Sequence, residues 1–201
     1  MRNRDGRLIV SPRLDLVART SVPIEPCRMG KISAYRWHAP LHDLFQSAVK
    51  KYDGGQREAA TYFVKDEAAF LASIGQTPQE IYDFAEDHAS GGEPDWETVL
   101  LISAARRDFL LDAQRGIMST KVVPTEDFPA KEATLEGIAW LPRLIQKARA
   151  KLRGELPPDL MYDCGGDRRF FKEYGLHPAD FLRVEWAADG DAQKILRYVR
   201  G

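Results

Sequence analysis

A chain that matches itself at a fixed spacing is constrained to fold as two versions of one unit, and this chain does so when shifted by 100 residues. With no gap from 39 to 89, Leu41 meets Leu141, Leu44 meets Leu144, Ala48 meets Ala148, and Lys51 meets Lys151. Gly54 then meets Gly154, Tyr62 meets Tyr162, Phe70 meets Phe170, Gly75 meets Gly175, and Pro78 meets Pro178. After a four-residue excess within SGGEPD, Asp95 meets Asp191 and Val99 meets Ile195. The matches fall on apolar positions and on the Gly and Pro residues that end or begin helices, where chance would not gather them. Each unit is too short to bury a good core alone, which predicts two related multi-helix units packed as one pseudo-symmetric all-α body.

The second copy predicts an amphipathic helix over 141–153, because Leu141, Leu144, Ile145, Ala148 and Leu152 recur at helical spacing before Gly154 and the Pro157-Pro158 pair. The first copy carries Leu41, Leu44, Phe45, Ala48 and Tyr52 in the same places. A short helix follows at 167–174, with Asp167 as its N-cap, or at 66–74 in the first copy. Gly175 and Gly75 suit a left-handed cap, and Pro178 and Pro78 the first turn of the next helix. The last helix is predicted at 192–199 in the second copy. In the first it runs on through WETVLLISAARRDFLLDAQ until Gly116, apolar nearly all round and so buried on several sides.

Four segments follow: an extended amino-terminal arm over 1–38, a first unit over 39–116, a linker over 117–134, and a second unit over 135–201. The arm carries Pro12, Pro23 and Pro26, and its RLIVSPRLDLV stretch allows a short edge strand. Lys plus Arg (29) and Asp plus Glu (30) nearly cancel, which disfavours nucleic acid as a partner. No window approaches the roughly 20 apolar residues needed to span a bilayer, and no secretory signal is visible in MRNRDGRLIVSPR. Cys27 and Cys164 form neither a CxxC pair nor a disulfide framework, so the cytoplasm is the expected compartment.

Positions shared by both copies need only the common fold, whereas reactive groups gathered in one copy point to function. The second copy has Arg143, Lys147, Cys164, Asp167, Arg168 and Arg169 where the first has Asp43, Ser47, Val64, Glu67, Ala68 and Ala69. Arg143, Lys147 and Lys151 form one i, i+4, i+8 stripe that can hold a carboxylate or phosphate, or can simply be a solvated face. Cys164 precedes Gly165 and Gly166, which permit a tight turn, and a thiol at a helix start beside guanidinium groups can become a nucleophile or redox sensor. Its plainer fate is that of a small buried hydrophobe. Tyr162, shared with Tyr62, reads as a packed ring. His38, His42 and Asp43 resemble a metal set, but Pro40 argues against one continuous helix there. The four tryptophans read as core or interface anchors, and the chain has no phosphate loop, GxGxxG, GxSxG or HExxH. No metal or cofactor is called for.

LPRLIQKARAKLRG, then MYDCGGDRRFFKEYGLHPADFL, then a helix ending ILRYV, resembles a bacterial family of uncharacterised proteins, domain of unknown function 5069. Members tend to carry an LPR-x3-KAR helix and a Tyr-x-Cys-Pro-x-Asp-x-Arg segment. Leu141, Pro142, Arg143, Lys147, Ala148, Arg149, Tyr162, Cys164, Asp167 and Arg169 fall on that pattern, and Gly165 departs from it where Pro is usual. The resemblance covers 135–200 directly and implies no activity. Three readings follow. In the first, a non-catalytic binding or adaptor protein uses a cleft lined by Arg143, Lys147, Tyr162, Cys164, Asp167 and Arg169 to take an anionic small molecule or an acidic protein segment. In the second, a thiol-dependent enzyme or redox sensor works through Cys164 with Arg169. In the third, an interaction subunit uses the amino-terminal arm to hold a protein partner.

Overall fold

In a computed structural model that describes residues 34–201, the periodic stretches form eight α-helices and one small hairpin. In chain order these are α1 (His38–Asp53), α2 (Lys65–Ser73), α3 (Pro78–Gly91), α4 (Trp96–Asp112), β1 (Thr134–Leu135), β2 (Ile138–Ala139), α5 (Leu141–Arg153), α6 (Gly165–Tyr174), α7 (Pro178–Ala188) and α8 (Ala192–Arg200). The all-α expectation holds for the described residues. The arm's predicted edge strand and Cys27 lie outside them.

Local chemistry explains the helix ends. Thr77 accepts from the Glu80 backbone N–H at 3.2 Å while the Glu80 carboxylate accepts from the Thr77 N–H at 2.9 Å, a reciprocal cap ahead of Pro78. His177 caps α7, its Nδ1 accepting from the Ala179 N–H at 3.2 Å. Asp95 and Asp191 cap α4 and α8 with their carboxylates. The chain turns left-handed at Gly175 after α6, and the same shape follows α2 at Gly75.

Three expectations need correction. Helix α1 begins at His38 and passes through Pro40. Pro40 lies in the first turn, where its missing N–H has no helical partner to lose, so it does not break the helix. His38 and His42 therefore do share one helix, yet the His42 ring packs edge-on against Trp96 at 4.7 Å. Among the described residues no group of three His, Cys, Asp or Glu side chains is placed to hold a metal. Helix α4 stops at Asp112, short of the predicted end at Gly116; it is buried against α1, α5 and α7, while Leu101 and Leu111 stay exposed. The 117–134 segment is more than a tether. Val123 and Phe128 pack on Ala150 with Leu156 and Leu160 alongside, the Val123 N–H donates to the Glu155 carbonyl at 2.9 Å, and the segment ends in β1, paired antiparallel with β2.

Packing follows from the buried stripes. Helix α1 lies on α3, and α5 on α7, through Leu41, Leu44, Phe45 and Ala48 in one case and Leu141, Leu144, Ile145 and Ala148 in the other. Each large apolar chain so buried contributes about 1.5–3 kcal/mol. Helix α4 joins the two sets by packing on α1 of the first and on α5 and α7 of the second. Its Arg106 is wholly buried, donating to Gln114 Oε1 at 2.8 Å and to Met118 Sδ at 3.3 Å. Gly154 lies against that guanidinium, since a Cβ there would sit 2.7 Å from its Nη2 and the arginine would have to shift. Lys151 crosses from α5 to the first half, donating to Gln76 Oε1 and Glu80 Oε1, each at 2.8 Å.

Candidate functional site

The loop between α5 and α6 is held from below. Tyr162 is buried and its hydroxyl donates to the Pro178 carbonyl at 2.8 Å, fastening the loop to the start of α7. Burial raises its pKa well above the usual phenol value. Asp163 follows with φ +67°, a left-handed turn that aims its N–H at Asp167 Oδ2, 3.0 Å away. Asp167 is fully buried and accepts twice more, from the Trp140 indole N–H at 2.8 Å and from the Lys147 ammonium. A buried carboxylate with three donors, one of them cationic, is the arrangement that offsets the desolvation of both charges.

This hub dictates two residues nearby. Trp140 has φ +70°, an unusual conformation for a bulky residue, costing roughly 1–2 kcal/mol and held by its bond to Asp167. Gly166 is what lets the indole in, because a Cβ there would lie 2.5 Å from Trp140 Cζ2. Gly165 and Gly166 were expected to make a tight turn; they are instead the first two residues of α6, whose N-cap is Cys164. Asp167 is thus not the N-cap but sits one position past Gly166, in the first turn, facing inward.

Above the hub lies a cleft of about 560 Å³ between the second half and α3. Arg143 and Lys147 of α5, Arg169 of α6, Lys131, Cys164 and Trp140 border it on one side. Gln79, Asp83, Glu86 and Asp87 of α3 border it on another, with Asp159 in the loop. Arg143 donates to the Pro129 carbonyl at 2.8 Å, which steadies it, and its guanidinium lies over Phe128. Among the described residues no carboxylate lies at salt-bridge distance from Arg143 or Arg169. Cys164 is partly exposed, and its Sγ stands 3.3 Å from the Lys147 ammonium.

Of the six residues expected to line a cleft, Arg143, Lys147, Cys164 and Arg169 share this one, while Tyr162 and Asp167 are not among its lining residues. Both belong to the support beneath, because one bonds a backbone carbonyl and the other neutralises Lys147. The cationic stripe also divides. Arg143 and Lys147 line the cleft, but Lys147 is 2 % exposed and paired with Asp167, and Lys151, 1 % exposed, turns to Gln76 and Glu80, so the stripe is not a solvated face. Sequence reasoning missed Trp140 and the α3 wall. The wall had a legible signal, since Gln79, Asp83, Glu86 and Asp87 recur at the spacing of one helical face.

Two carboxyl groups here are held away from their ordinary state. Burial pushes Asp163 up to about 8; Arg168 opposes that, and Asp167 adds to it. Neither Asp163 oxygen has a hydrogen-bond partner within the protein. Asp83 is pushed up to about 7, again chiefly by burial, with a hydrogen bond from Gln79 at 2.7 Å opposing it.

Comparison with known proteins reaches one part of the chain. No curated protein and no solved structure matches it. A family model does match residues 126–201, from within the segment that packs against α5 through to the last residue of the chain. By that match the carboxyl-terminal portion, which supplies the basic side of the cleft, resembles the family described as Domain of unknown function (DUF5069).

Proposed function

We propose that this chain is a binding protein whose cleft holds an anionic group between Arg143 and Arg169, without performing chemistry on it. The observation that carries the reading is that two guanidinium groups, from different helices, border one cleft and neither has a carboxylate partner among the described residues. Lys147 adds position more than charge, because Asp167 already balances it. A guanidinium forms paired, directional bonds to carboxylate or phosphate, so it suits such a role better than a lysine would. The test is an NMR titration with inorganic phosphate and, separately, with hexanoate. Both should shift resonances of α5 and α6, and Arg143→Met or Arg169→Met should each weaken binding about tenfold, the worth of one charge-assisted bond. Unchanged affinity in both variants would sink the reading.

A second reading rests on Cys164. Its thiol is partly exposed at the N-cap of α6, with Sγ 3.3 Å from Lys147 Nζ, so it opens on the cleft beside a group that can donate or hold a proton. A thiol enzyme or redox sensor requires a thiol that can be reached. The measurement is the rate of alkylation against pH in a Cys27→Ser background. Reaction at neutral pH several times faster than a model thiol, lost in Lys147→Met, supports it, and slow labelling of the folded protein removes it.

A further inference from the structure

The basic side of the cleft faces an acidic one, and the two do not pair. Among the described residues no salt bridge joins a cation lining the cleft to a carboxylate lining it, because Asp87 is taken by Arg168 from outside and Lys147 by Asp167 from beneath. Asp83 and Glu86 are left with neutral partners only, the Gln79 amide at 2.7 Å and the Tyr52 hydroxyl at 2.9 Å. They stand three residues apart on α3, so they are neighbours on one helix surface, and a charge on Glu86 opposes ionisation of Asp83. Opposite charges held apart across a cavity forgo their mutual attraction while remaining partly desolvated. A ligand charged at both ends would relieve both walls at once; an anion alone would relieve only one.

We propose that the ligand of this cleft is amphoteric, with its anionic group on Arg143 and Arg169 and an ammonium or guanidinium group on Asp83 and Glu86. The inference rests on the anion-binding reading above and extends it to a substrate class: small molecules such as ω-amino carboxylates or amino-acid derivatives. It argues against an acidic protein segment as the occupant, since continuous negative charge would meet the α3 wall with repulsion. Both halves of the chain then contribute to one site, the first half supplying the cation subsite. The elevated Asp83 pKa fits this arrangement, because burial with Glu80 and Glu86 nearby, opposed by Gln79 and Lys151, leaves a carboxyl group that a ligand cation would help to ionise.

The test uses the full chain and a matched series: ω-amino carboxylates of four to eight carbons, the carboxylates lacking the amine, and the amines lacking the carboxylate. Affinities come from NMR titration. At least one ω-amino carboxylate should bind ten times or more tightly than its carboxylate counterpart, and Asp83→Asn or Glu86→Gln should bring that ratio toward one. Thermal melts of each variant confirm folding, and because the two substitutions are separate and nearly isosteric, either suffices. If carboxylate and ω-amino carboxylate bind equally, and binding depends on Arg143, the amphoteric inference is overturned while the anion reading stands. Binding of the amines alone, independent of Arg143, or of nothing in the series, overturns both.

Discussion

At Asp163 a side chain with no internal partner is buried next to a second carboxylate, and the energetic consequence has a definite sign. In the folded protein its carboxyl group keeps its proton up to about pH 8, against an ordinary value of 3.8 for the unfolded chain. Between those limits the unfolded state releases a proton that the folded state retains, so the contribution of Asp163 to stability is complete below about pH 4 and is lost as pH rises toward 8. The slope is at most about 1.4 kcal/mol per pH unit. Asp163→Asn removes this dependence, and asparagine is among the residues most tolerant of the φ +67° found there. Thermal melts from pH 4 to 9 should show the variant gaining on the wild type steadily as pH rises; parallel curves would contradict the assignment. Nothing in the local sequence DCGGD marks Asp163 as buried, since burial comes from Tyr162 anchoring the loop to α7.

Among the elements, α6 shows how far local rules reach. Its existence and its end at Gly175 were legible from periodicity and glycine, but its start was misplaced by two residues because Asp167 looks like an N-cap. With Gly165 as the first helical residue, a proline there is compatible with the fold. Cys164 before it is extended, at φ −67° and ψ 170°, as a residue before proline prefers, and a Cβ at position 165 meets nothing nearer than Arg168 Nη2 at 3.8 Å. Gly165→Pro should therefore stabilise the protein by about 0.4–1 kcal/mol by limiting the unfolded chain, read from urea denaturation. A loss of stability would mean that the helix does not begin there. The β1–β2 hairpin was not legible, because two-residue strands carry too little alternation to show a period.

In the whole molecule, positions that match at the shift of 100 acquire different roles. Lys51 and Lys151 match at the shift of 100, yet Lys51 is only half-buried and donates to the Tyr62 carbonyl, whereas Lys151 is sealed against Gln76 and Glu80 of the other half. Removing one member of a buried pair typically costs about 3–5 kcal/mol, so Lys151→Ala should be far more damaging than Lys51→Ala, whose loss should stay near 1 kcal/mol. Equal losses in denaturant unfolding would refute the distinction. Helices α2 and α6 start at 65 and 165, and α3 and α7 at 78 and 178, the same shift of 100 at which the sequence matches itself. What the sequence alone determined was the helical class, most helix bodies and the gathering of Arg143, Lys147, Cys164 and Arg169 in one half, because helix periodicity and capping act over a few residues. Only the tertiary structure decided that Tyr162 and Asp167 support the cleft instead of lining it, that Lys151 is buried, and that α3 faces the basic wall with Asp83 and Glu86. Those outcomes depend on which helix face meets which across residues far apart in the chain, and local spacing carries no information about that.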